Sequence, residues 1–121
     1  MIAWQTPQIY LHREPVDFRK AINGLSIIVE QSMSLSPFAE AIFVFCNKRR
    51  DKLKVLYWDE TGFCLWHKRL EKDKFRWPRR DVDTVFEVTT EQFEWLLRGY
   101  DIGRMQAHQK LQFGRLSEAA F

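Results

Sequence analysis

With 121 residues, 45% hydrophobic and 29% charged, the chain is long enough for one hydrophobic core, too short for two and too apolar for wholesale disorder. Its net charge of +3 is unevenly spread: Lys48 to Arg80 holds twelve Lys or Arg against five Asp or Glu, a local balance of +7, and the remainder holds seven against eleven, or −4. Two cysteines outside any C-x-x-C pair exclude a disulfide framework, and without a long apolar run or a basic, apolar leader the expectation is a soluble cytoplasmic protein with no membrane partner.

Ile9 to His12 is a short β-prone run closed by Pro15, which predicts an edge strand or extended arm. Phe18, Ala21, Ile22, Leu25, Ile28 and Val29 then recur at helical spacing and predict an amphipathic helix from Asp17, placed as its cap, to about Gln31. Gly24 inside that helix costs roughly 1 kcal/mol relative to Ala and therefore asks for a close contact. Ser36-Pro37-Phe38 predicts a short helical turn, and the unbroken apolar run Ala41 to Cys46 a central strand. After a polar turn at Asn47–Asp51, Leu53 to Asp59 and Phe63 to Lys68 complete a three-stranded meander around Glu60-Thr61-Gly62. Period-two alternation puts Leu53, Val55 and Tyr57 on one face and Lys54, Leu56 and Trp58 on the other.

The charge-dense stretch Leu70 to Arg80 predicts a loop projecting from the sheet. Thr84 to Val88 alternates as a fourth strand, and Thr89 with Gln92 has capping-box spacing for a second helix whose inner face is Phe93, Leu96, Leu97 and Tyr100, stopped at Gly99. The fold class expected is α+β, an antiparallel meander sheet of about four strands packed against two amphipathic helices, with one domain over 1–101 and a C-terminal tail over 102–121.

Catalytic chemistry finds little support. Asp17, Asp59, Glu60, Asp81 and Asp83 are better explained as cap, turn and loop residues than as convergent ligands for a metal. Cys64 and His67 lie three apart on a strand, so their side chains face opposite ways and cannot share a zinc ion, even with Cys46 and His12 nearby. Neither a G-x-S-x-G elbow nor a glycine-rich phosphate loop occurs. The expectation is a protein that is not an enzyme and uses no metal or cofactor.

The basic centre is more informative. Lys48, Arg49, Arg50, Lys52 and Lys54 surround the first hairpin turn, and Lys68, Arg69, Arg76 and Arg79 follow the third strand of the meander. In a meander these two groups lie at the same end of the sheet and merge. Such a patch suits phosphate, and Phe75 or Trp77, if exposed, would stack on unpaired bases; the alternative is that these rings belong to the core or its rim.

The ordered set Pro15-Val16-Asp17-Phe18-Arg19-Lys20, Gly24-Leu25, Pro37-Phe38, Phe43-Val44-Phe45, Lys48-Arg49-Arg50-Asp51-Lys52-Leu53-Lys54, Trp58-Asp59, Gly62-Phe63, Lys68-Arg69-Leu70-Glu71, Phe75 and Trp77-Pro78 resembles the TnpB-type accessory protein, the second open reading frame, of insertion sequence 66 elements. The likeness runs from about Ile9 to Asp101; Asn23 stands where Asp is expected, and Cys46-Asn47 replaces a more basic turn. The resemblance implies a role in transposition beside a separate, larger DDE-type transposase and another accessory protein, and supplies no mechanism. The resulting expectation is a non-enzymatic accessory that binds DNA, hypothetically element ends, through its basic surface. The rival is an adaptor whose basic surface docks on the transposase without touching DNA.

Overall fold

Every residue of the run Ala41–Cys46 is buried, so the strand it forms must be covered on both faces. The computed structural model, which describes residues 8–78 and 84–102, shows how. The elements are β1 (Gln8–His12), α1 (Ile22–Gln31), β2 (Ala41–Cys46), β3 (Lys52–Asp59), β4 (Gly62–Arg69), β5 (Val85–Val88) and α2 (Thr90–Leu97). They build one sheet in the order β4-β3-β2-β1-β5. The α+β class is as expected, with five strands rather than about four and a mixed sheet rather than a wholly antiparallel one. β2, β3 and β4 form the expected antiparallel meander, and β5 pairs antiparallel with β1.

β1 is the exception. It is not an edge strand or arm: it lies between β2 and β5 and runs parallel to β2, with Ile9 opposite Ile42 and Leu11 opposite Val44. Parallel neighbours need a crossover, and residues 13–40 with α1 supply it.

Alternation then sorts the core into two layers. Ile9, Leu11, Ile42, Val44, Leu53 and Val55 point to the face covered by Phe93 and Leu96 of α2 and by Phe75 and Trp77. Phe43, Phe45 and Leu56 point to the other face, under Leu25 and Val29 of α1 and under Met33. The parity expected for β3 is observed. α2 carries the expected capping box, Thr89 Oγ1 accepting from Gln92 N–H (3.0 Å) and Gln92 Oε1 from Thr89 N–H (2.9 Å). The chain turns out of α2 at Gly99, whose φ of +95° an L side chain would strain. Tyr100 is exposed rather than part of the inner face.

Two further expectations are corrected. Asp17 does not cap α1, which begins five residues later; its carboxylate accepts from the Arg19 backbone N–H (2.9 Å) and guanidinium (2.6 Å) in a local turn. The 70–78 segment does not project. The Phe75 N–H donates to Arg50 O (2.7 Å), and Phe75 and Trp77 are 1% and 5% exposed. Ile102 packs in the core layer beneath α2, and the expected tail beyond it, residues 103–121, lies outside the described residues.

Candidate functional site

The end of the sheet where β2 and β4 finish is built around the turn Asn47–Asp51. Buried Asn47 organises it: its side-chain oxygen accepts from Lys52 N–H (3.0 Å) and its amide donates to Asp51 Oδ1 (2.7 Å). That amide is the main cause holding the Asp51 carboxyl below the usual carboxylate range. Arg50 takes the left-handed conformation (φ 64°) that closes the turn, and its N–H donates to Asn47 O (3.0 Å). Leu70 N–H donates to Asp51 O (2.7 Å) and Phe75 N–H to Arg50 O, so the segment after β4 is tied to the turn after β2.

This geometry brings the two basic groups together. Lys52 lies directly across from Arg69, and Leu53 across from Lys68. Lys48, Arg49, Arg69 and Arg76 are exposed; Arg50, Lys52 and Lys68 are half-buried. Lys72 and Lys74, also exposed, belong to the same end because Phe75 is anchored there. Among these side chains only Arg69 forms an ion pair within the described residues, with Glu71 at 3.0 Å. Like charges facing each other across a ladder destabilise it by roughly 0.2–1 kcal/mol, and Glu71 offsets part of that between Lys52 and Arg69. The His67 imidazole beside this patch is held below its ordinary pKa by partial burial first, then by Lys54, Lys52 and Arg69.

Two of the residues expected at the ligand surface are buried and engaged within the fold. Lys54 is 7% exposed, and its ammonium donates to Phe18 O (3.0 Å) and Lys20 O (2.9 Å) while lying 4.8 Å from the centre of the Phe18 ring. Burial, with a smaller contribution from Lys52, pulls its pKa below the ordinary value. Lys54 is a clasp that holds the loop before α1 to the sheet. Trp77 is equally unavailable: its indole N–H donates to His12 O (2.9 Å) inside the core. Arg79 lies outside the described residues.

Lys20 is a residue that the linear pattern missed. Its carbonyl is gripped by Lys54 and its side chain is exposed. The Lys20 Cβ lies 3.0 Å from where a Cβ on Gly24 would sit, and this is the close contact that the helix glycine requires. No spacing signal points to Lys20; it is found only through the Lys54 clasp.

The residues considered for catalysis are dispersed or occupied. Cys64 faces Tyr57 and His67 faces Lys54, on opposite sides of β4. Burial pushes the Cys46 thiol up to about 12, against a weaker opposing pull from Arg50, which disarms it as a nucleophile. His12 is buried, its Nδ1 2.7 Å from Glu14 O and its Nε2 3.1 Å from Ser32 Oγ. Asp59 stands at the far end of β3 from Lys52, and Asp81 and Asp83 lie outside the described residues. No cluster of three or more His, Cys, Asp or Glu suited to a metal occurs among the described residues.

A family model described as IS66 Orf2 like protein matches residues 7–107, which span the whole sheet, both helices and the basic end. The chain belongs to this family. It is a transposition-associated accessory protein, and the family is not one of known enzymes. Relatives include the uncharacterized protein y4jC of Sinorhizobium fredii, 37% identical over 99 residues that cover 82% of this chain and 84% of the relative. The uncharacterized protein y4hO of the same organism is 29% identical over 97 residues, covering 80% and 84%. No solved structure matches the chain. No helix among the described residues is long and apolar enough to cross a membrane.

Proposed function

We propose that this accessory protein binds DNA through the basic end of its sheet and in that way assists a separate transposase. The observation that carries the reading is the convergence of two basic groups distant in sequence, around Lys48–Lys52 and Lys68–Arg76, on one surface where Lys52 faces Arg69. The fold tolerates that repulsion, and a polyanion would relieve it. The contacts available are point charges and guanidinium forks suited to phosphate, so binding is directed at the backbone rather than at bases.

The test is a mobility-shift series against salt with element-end and random duplexes. Six phosphate contacts give a log–log slope of about −5. Lys48→Glu with Arg49→Glu, both at exposed positions, should reduce the slope by about two and weaken binding to every duplex. Unchanged affinity in that double variant overturns the proposal. A transposase complex that survives nuclease and is lost in the same variant, with no DNA shift by the isolated chain, replaces DNA by protein as the ligand of this end.

A further inference from the structure

The opposite end of the sheet has the reverse character. The stretches that meet there, 8–10, 36–42, 57–63 and 88–91, contain four acidic residues, Glu40, Asp59, Glu60 and Glu91, all exposed, and no Lys or Arg. Trp58 and Phe63 face each other across β3 and β4, on the α1 side of the sheet, with ring centroids 5.0 Å apart. Phe38 closes a triangle over them at 5.0 Å from Trp58 and 5.3 Å from Phe63. It is 56% exposed and is among the few large hydrophobic side chains left exposed in the described residues. Because Ile42 pairs with Tyr57, Glu40 and Asp59 leave their strands at this same end, and Glu60 follows in the tight turn to β4.

We propose that this acidic aromatic corner is a second docking surface, and that its occupant is a segment of a partner protein carrying Lys or Arg next to an apolar side chain. Aromatic faces attract cations as well as apolar groups, and the carboxylates around them select positive charge and repel nucleic acid. A basic segment with an apolar anchor satisfies both features, the anchor packing on the exposed part of Phe38 and the cations meeting Asp59 and Glu60. The basic end of a second copy fits less well. Phe75 and Trp77 are buried there, so the segment after β4 offers charge without an exposed ring to serve as an anchor. The proposal does not depend on DNA being the ligand of the other end.

The probe is a random peptide library displayed on phage and selected on the immobilised full chain, followed by anisotropy titration of the selected peptide in solution. The expected consensus places Lys or Arg beside Leu or an aromatic residue. Phe38→Ala and the pair Asp59→Lys with Glu60→Lys should each weaken that peptide about tenfold, the scale on which truncation of an anchor reads out. Lys48→Glu with Arg49→Glu should leave it unchanged. The charge reversal sits on exposed turn residues, so it carries the test even where Phe38→Ala lowers stability. No consensus, an acidic consensus, or equal affinity for the charge-reversed chain overturns the proposal. Sedimentation of the chain alone provides a further check: self-association abolished by the same reversal assigns the corner to a second copy and also overturns it.

Discussion

Replacing Lys54 separates a structural cation from a ligand-binding one. Its ammonium makes two hydrogen bonds to carbonyls, at 3.0 and 2.9 Å, and one ring contact. Hydrogen bonds of a charged donor contribute about 1.5–3 kcal/mol each and an exposed-to-partly-desolvated ring contact roughly 0.5–1 kcal/mol. Opposing them is the cost of stripping water from the ammonium, visible as a pKa below its ordinary value. With about half the gross gain cancelled, Lys54→Ala should destabilise the fold by about 2–3 kcal/mol, a large part of a typical 5–15 kcal/mol. Lys54→Met keeps the stem and drops the charge, leaving the Phe18 and Lys20 carbonyls to find water, for a loss of about 1–2 kcal/mol. Urea unfolding supplies the stability change, and a mobility shift against salt supplies the ligand readout. The clasp requires a lower urea midpoint with an unaltered salt slope. Stability within about 0.5 kcal/mol of the parent, with a slope shallower by about one, would refute the reasoning and return Lys54 to the phosphate surface.

Trp77→Phe removes the indole donor, strands His12 O in the core and leaves a gap where the larger ring packed, so it should lower stability by at least about 1–3 kcal/mol in urea while leaving DNA affinity unchanged. Thr89→Ala breaks one half of the capping box and should cost about 1 kcal/mol by the same assay. Burial is the main cause holding His12 below its ordinary pKa of 6.5, against the opposing Glu14 carbonyl. The unfolded chain therefore takes the proton first, and stability, complete above pH 6.5, should fall below it by at most about 1.4 kcal/mol per pH unit from this group, a decline that His12→Gln flattens. His67 sits in the field of Lys54, Lys52 and Arg69, so a polyanion bound at the basic end should raise its titration midpoint in imidazole proton spectra; a midpoint unmoved by saturating duplex would contradict the proposed surface.

The strands and helices of this chain were legible wherever a local period existed. The meander, the parity of β3 and the capping box all follow from residues within a few positions of one another. β1 was misplaced because pairing with β2 is a non-local property: Gln8–His12 reads as a short run before a proline whether it lies at an edge or in the middle, and only the α1 crossover moves it inward. The 70–78 segment was misread for a different reason. Its charge density suggested exposure, yet Lys74, Phe75, Arg76 and Trp77 alternate out and in, the period of an extended segment with one face on the core. Lys54 carries the same signal, since its parity places it with Leu56 beneath the α1 side although its charge argues for solvent. What no local pattern holds is the grip of Lys54 on the Phe18 and Lys20 carbonyls.

Strand direction converts a charge asymmetry in sequence into a polarity in space. β2 ends and β3 begins at one end of the sheet, and β4 returns to it, so the cations of the first hairpin turn and of Lys68–Arg76 accumulate there. The β3–β4 turn and the approach to β2 fall at the other end by the same rule, and they hold Phe38, Trp58, Asp59 and Glu60. The eight residues of β3 separate the two ends by about 23 Å at ~3.3 Å per residue, beyond two Debye lengths at physiological salt. Charge reversal at one end therefore leaves the potential at the other nearly untouched. A chain with this arrangement can hold a polyanion at one end and a basic protein segment at the other without those two ligands, which attract each other, being brought into contact, and that separation is a physical reason for the same short chain to keep its charges segregated rather than mixed.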